Sequence, residues 1–95
     1  MIISQLSIAP IGKGTSLSRY VKIVINILKK NNIKFKINDM GTVIETSNLI
    51  TLFNIVEQAH TAVINSGAKR VITELKIDDR RDKDARIGNK ISALQ

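Results

Sequence analysis

Hydrophobic and polar positions alternate from the second residue onward: Ile2, Ser4, Leu6 and Ile8 are set against Ile3, Gln5, Ser7 and Ala9. A period of two in a stretch rich in β-branched residues predicts a strand, and Pro10 ends it. Apolar residues on both sides place that strand in the middle of a sheet or against another subunit. The period then changes. Leu17, Tyr20, Val21, Val24, Ile27 and Leu28 recur at helical spacing and predict a helix over about 17 to 30, with Ile23 and Ile25 off the stripe's centre and in need of a second buried contact. Gly12 and Gly14 make the connecting turn, Thr15 or Ser16 suits the N-cap, and Asn31-Asn32 suits a left-handed C-terminal end.

Ile33, Phe35 and Ile37 alternate with Lys34, Lys36 and Asn38, a strand with one wet face whose lysines fit a sheet edge. Asn38 to Gly41 reverses the chain and Thr42 to Thr46 returns as a third strand, with Thr42, Ile44 and Thr46 on one face and Val43 and Glu45 on the other. A second helix begins near Asn48, capped by Ser47 or Thr46, and carries Leu49, Leu52, Phe53, Val56, His60, Val63 and Ile64 until Gly67 closes it. A fourth strand spans Arg70 to Ile77. Beyond Asp78-Asp79-Arg80-Arg81-Asp82, a last helix with the stripe Ile87, Ile91, Leu94 is expected, Asp82 and Asp84 sitting at its positive end. Three apolar residues with Gly88 among them cannot hold alone, so this helix must dock on its own subunit or a neighbour.

The order β-α-β-β-α-β plus a short C-terminal helix predicts an α+β, ferredoxin-like sandwich: a four-stranded antiparallel sheet with two helices on one face, forming one domain over residues 1–95. The other sheet face is left without a helix. Apolar residues there predict association with another chain as a homodimer or homotetramer, through the sheet face and the last helix.

Composition narrows the chemistry. Cysteine is absent and there is one histidine, so disulfides, thiolate metal centres and Cys/His zinc sites are excluded, and no metal or cofactor is expected. The start Met1-Ile2-Ile3-Ser4 has no basic leader and no apolar stretch spans a bilayer, so a cytoplasmic protein without membrane contact is expected. The net charge of +7 invites a nucleic-acid reading. Its distribution argues against one: Arg80, Arg81 and Arg86 alternate with Asp78, Asp79, Asp82 and Asp84, and the strands one, three and four that would stack bases hold no aromatic residue. Gly12-Lys13-Gly14 is not a phosphate loop, since Gly14 stands where Ser or Thr is required and Ser7 stands where the first glycine should be. With no nucleophile motif around His60, no catalytic residue is assigned and an enzyme is not expected.

One residue breaks the pattern: Glu45 interrupts an apolar strand. A cross-sheet partner such as Lys76 or Arg70 is one explanation, and a ligand is the other. His60, on the inner stripe of helix two, is either satisfied by a backbone carbonyl or is a ligand or interface contact.

The chain resembles the YkoF-like thiamine-binding proteins. The resemblance rests on Ala9-Pro10-Ile11-Gly12, Ser18-Arg19-Tyr20-Val21, Met40-Gly41-Thr42-Val43-Ile44-Glu45, His60, Arg70-Val71 and Leu75-Lys76-Ile77-Asp78-Asp79-Arg80-Arg81. The family commonly has glycine after the glutamate, where this chain has Thr46. The resemblance implies a ferredoxin-like fold, sheet-to-sheet dimers that often pair into tetramers, and binding of thiamine or its pyrimidine portion without turnover. A pocket for a cationic thiazolium and an aminopyrimidine needs a carboxylate with hydroxyl or amide groups in an apolar wall. Glu45, Thr42, Ser4, Ser7 and Gln5 could supply these, with His60 a further candidate. The alternatives are a structural or regulatory interaction module and a basic RNA-binding domain.

Overall fold

Why β1 is central follows from its side chains: both of its faces carry apolar residues, and both of its edges are paired. In the computed structural model, which describes residues 1–14 and 17–95, the chain order is β1 (Ile2–Pro10), α1 (Ser18–Lys30), β2 (Lys34–Asn38), β3 (Gly41–Thr46), α2 (Leu49–Asn65), β4 (Val71–Asp78) and α3 (Asn89–Leu94). The strands form one antiparallel sheet in the order β2-β3-β1-β4, the expected ferredoxin-like α+β arrangement, with the lysine-bearing β2 at an edge.

Register sorts the side chains. Leu6 lies opposite Thr42 and Leu75, Ser4 opposite Ile44 and Ile77, and Ile2 opposite Thr46. Paired residues share a face, so these residues and Ile8, Phe35 and Thr73 all point toward the helices. Ile3, Gln5, Ser7, Val43, Glu45, Lys34, Lys36, Ile72, Glu74, Lys76 and Asp78 point the other way. The core fills the helix side: Leu6 and Ile44 from the sheet, Tyr20, Val24, Ile25 and Leu28 from α1, and Ile55, Ala59 and Val63 from α2.

Both helices are rotated from the faces that periodicity predicts. In α1 Ile25 is buried and Val21 is 41% exposed, because α1 packs on α2 as well as on the sheet. In α2 the buried row is Leu52, Ile55, Ala59 and Val63, whereas Phe53 is 50% exposed. Apolar residues surround most of the α2 circumference, so spacing alone does not choose its inner face. The cap of α2 also differs: Asn48 itself is the N-cap, its Oδ1 accepting from the Thr51 amide at 2.8 Å, in place of Ser47 or Thr46. Thr15 and Ser16, the expected caps of α1, lie outside the described residues. Asn32 takes the left-handed conformation (φ 55°) at the end of α1, and Gly67 (φ 112°) follows α2.

The last helix is shorter than its stripe. It spans only Asn89–Leu94, after Gly88 in a left-handed conformation, so Ile87 precedes it. Asp82 and Asp84 do not serve its N-terminus; they bond Arg80 and Arg86 two residues away and hold the preceding segment in a non-helical path.

Denaturant unfolding should show Asn48→Ala costing about 1 kcal/mol and Leu28→Ala, at a fully buried position, about 2–5 kcal/mol. Ser47→Ala should cost a few tenths at most; a loss equal to that of Asn48→Ala would overturn the cap assignment.

Candidate functional site

The alternation of β3 turns Val43 and Glu45 away from the helices, onto the sheet face that was expected to be bare. Glu45 is nevertheless only 6% exposed. What covers it is the chain beyond β4, which doubles back across that face. Within this segment Arg80 Nε donates to Asp82 Oδ1 at 2.7 Å, Arg81 Nη2 to Asp79 Oδ2 at 2.9 Å, and Arg86 Nε to Asp84 Oδ2 at 2.9 Å. The bonded arginine holds the Asp79 and Asp82 carboxyls below their ordinary range, and the Met1 amino group and then Arg86 do the same for Asp84. These pairs are exposed and shape the segment more than they stabilise the fold.

Its ties to the sheet are fewer. The Ile87 amide donates to Glu45 Oε1 at 3.1 Å, Arg86 Nη1 lies 3.9 Å from Glu45 Oε2, and Lys90 Nζ donates to Asp78 Oδ2 at 2.9 Å. The partner of Glu45 is therefore the C-terminal segment; neither Lys76 nor Arg70 pairs with it across the sheet. The reason is register: Glu45 stands opposite Ile3 on β1 and Lys34 on β2, while Lys76 stands opposite Gln5. A carboxylate has room for about four hydrogen bonds, and burial makes each missing one costly. Among the described residues Glu45 receives one short bond and one distant guanidinium.

Between the segment and the sheet lies a cavity of about 580 Å³. Its floor is Ile3 and Val43, Lys36 and Asn38 stand on its β2 side, and Arg86 and Ile87, the residues tied to Glu45, form part of its roof. Ile3 is the β1 residue directly opposite Glu45, and Val43 precedes it by two on the same face, so the carboxylate adjoins the apolar floor.

The other candidate residues are dispersed. Gln5 shares the Glu45 face, one pair further along, and is exposed. Ser7 is also on that face but lines, with Thr42, a second cavity of about 240 Å³ beside α1. Ser4 and Thr42 point into the helix side and are buried there; the hydroxyls of Ser4 and Thr46 have no partner among the described residues. His60 Nδ1 shares a 2.6 Å hydrogen bond with Thr73 Oγ1 between α2 and β4, so its partner within the chain is a hydroxyl in place of the backbone carbonyl, the first of the two readings given for it. Sequence reasoning missed Arg86, Ile87, Lys36, Asn38 and Ile3. The parity of Ile3, Val43 and Glu45 was available as a signal, and so was the need of the Ile87 stripe for a dock. Among the described residues no group of three or more His, Cys, Asp or Glu could hold a metal ion, and no helix is long and apolar enough to cross a membrane.

With this geometry in place, comparison with known proteins is decisive for the family. The family model described as thiamine-binding protein matches residues 4–95. The chain belongs to the thiamine-binding protein family. It is similar to the UPF0045 protein of Methanothermobacter thermautotrophicus, 43% identical and covering 100% of this chain and 97% of that one. The crystal structure of the hypothetical protein MJ1052 from Methanocaldococcus jannaschii superposes with a TM-score of 0.89 at 41% identity, covering 98% of this chain and 94% of that one. A Thermotoga maritima protein proposed for thiamine biosynthesis or salvage shares the fold, with a TM-score of 0.81 at 17% identity over 99% and 98% of the two chains.

If Glu45 fastens the segment, Glu45→Ala should raise hydrogen exchange at the Ile87 amide by about tenfold or more while leaving the β4 amides protected; unchanged Ile87 protection would refute the tie. The lowered carboxyls contribute order above their ordinary value of 3.8 that is lost as pH falls through the lower folded values. NMR titration should therefore place the midpoints of Asp79, Asp82 and Asp84 below 3.8, and midpoints at or above it would exclude the pairs.

Proposed function

We propose that this chain, a single domain over residues 1–95, binds thiamine or a related aminopyrimidine without converting it, as a cytoplasmic homo-oligomer that supplies the ligand to transport or sensing. The observation that carries the reading is Glu45: a buried carboxylate with spare acceptor capacity, next to Ile3 and Val43, which form the apolar floor of a cavity of about 580 Å³. An aminopyrimidine ring lies flat on that floor, and its exocyclic amine donates to the lone pairs of Glu45 that the Ile87 amide leaves open. Gln5, on the same face, is the nearest of the other candidates to the ring. Ser7 and Thr42 line the second cavity near the hairpin, and Ser4 and His60 act through the packing of the sheet on α2.

Oligomerisation draws support from apolar side chains that the segment leaves uncovered. Ile72 on the same sheet face is 44% exposed, and Ile91 and Leu94 of α3 are 55% and 87% exposed. A second copy placed over the remaining sheet face and α3 would shield them, most simply as a symmetric dimer, with pairs of dimers giving a tetramer.

A structural or regulatory interaction module is the second reading, favoured by the same Glu45–Ile87 bond if its whole purpose is to seat the C-terminal segment. An RNA-binding surface finds less support: Phe35 faces the helices, and Tyr20 and Phe53 belong to α1 and α2, so no aromatic lies on the open sheet face.

Calorimetry should detect 1:1 binding of thiamine per chain, weakened about tenfold or more by Glu45→Gln, which loses a charge-assisted bond. Equal affinity of the two proteins would remove Glu45 from the ligand. No heat with thiamine, combined with Ile87 protection that depends on Glu45, would favour the interaction module. Light scattering should give a dimer or tetramer mass, and a stable 10.5 kDa species at micromolar concentration would refute the assembly.

A further inference from the structure

Charge around the cavity is lopsided. Lys36 of β2 and Arg80, Lys83, Arg86 and Lys90 of the C-terminal segment line it, against the carboxylates of Asp78 and Asp84, with Glu45 buried beside the floor. Three of these cations are already engaged: Arg80 with Asp82 at 2.7 Å, Arg86 with Asp84 at 2.9 Å and Lys90 with Asp78 at 2.9 Å. Lys36 and Lys83 have no carboxylate within ion-pair distance among the described residues. Lys36 stands directly opposite Val43, so its ammonium rises beside the apolar floor, and Lys83 comes from the segment that roofs it.

A wall of this sign repels a ligand whose only charge is a thiazolium. It attracts one that also carries a phosphoryl group, which has nearly two negative charges at neutral pH and three acceptor oxygens for ammonium donors. We propose that the cavity takes its ligand as a phosphate or diphosphate ester, with the ring on Ile3 and Val43 beside Glu45 and the phosphoryl oxygens held by Lys36 and Lys83. This rests on the aminopyrimidine reading above and adds the ligand's charge state to it. The site thereby has two electrostatic ends, a buried carboxylate for the amine and free ammonium groups for the phosphate. The excess of +7 on the whole chain draws such an anion in at a distance.

The test is calorimetry of the full chain with thiamine, thiamine monophosphate, thiamine diphosphate and inorganic pyrophosphate, each at low and at physiological salt. The diphosphate should bind about tenfold or more tightly than thiamine, and the preference should shrink as salt screens the lysines. The double substitution Lys36→Ala with Lys83→Ala should cut the ratio of diphosphate to thiamine affinity severalfold; Lys22→Ala, on the exposed face of α1, should leave it unchanged. The ratio is read within one protein, so partial loss of folded chain does not mimic the effect. Equal affinity for thiamine and its phosphates overturns the phosphoryl site while leaving the aminopyrimidine reading standing, and so does a ratio that survives the double substitution. Binding of pyrophosphate without any thiamine species does the reverse: it supports the anion site and removes the aminopyrimidine.

Discussion

A carboxylate taken out of water must be met by donors, and the buried Glu45 imposes that demand on a sheet face that no long helix covers. The segment after β4 answers it. With the Ile87 amide at 3.1 Å and Arg86 at 3.9 Å, the chain is drawn back across β3 and β1, and the space left beneath it becomes the larger cavity. A ring of alternating aspartates and arginines gives the segment its shape without tying it down, since these pairs bond one another and mostly not the sheet. Glu45 thus has two roles that share one set of lone pairs: it seats the roof of the cavity, and it offers acceptor capacity beside the floor.

The division of the sheet into two faces decides what can cooperate. Polar side chains that look adjacent along β1 and β3 are separated by the pleat: Ser4 and Thr42 belong with Leu6 and Ile44 in the core, whereas Gln5, Ser7 and Glu45 belong with Ile3 and Val43 outside it. The unpartnered hydroxyls of Ser4 and Thr46 are polar groups inside the core, whereas the half-buried His60 and Thr73 satisfy one another between α2 and β4. A polar residue on a strand is therefore informative about a site only together with its parity.

Charge follows the same division. Among the described residues the helix side of the sheet carries no charged side chain, so the lysines of β2 rise on the opposite side, where Lys36 lines the cavity with the basic residues of the returning segment. The high net charge of the chain acquires a location in this way, beside an apolar floor and a carboxylate.

Much of this was legible in the residues. Periods of two and 3.6, the turn chemistry at Gly12 and Gly67, and the lysines of β2 determined the element order, the edge strand and the ferredoxin-like fold, because local sterics and the separation of apolar from polar positions act over a few residues. The parity of β3 likewise determined that Glu45 and Ile44 face opposite ways. Tertiary structure alone decided which side of α2 is buried, since that helix is apolar round most of its circumference and only the partner surface selects Leu52, Ile55, Ala59 and Val63 over Phe53. It alone decided the cap at Asn48, the partner of His60 and, above all, the partner of Glu45. Ile87 lies 42 residues away and contributes only a backbone amide, a group that every residue except proline carries and that no side-chain pattern can mark.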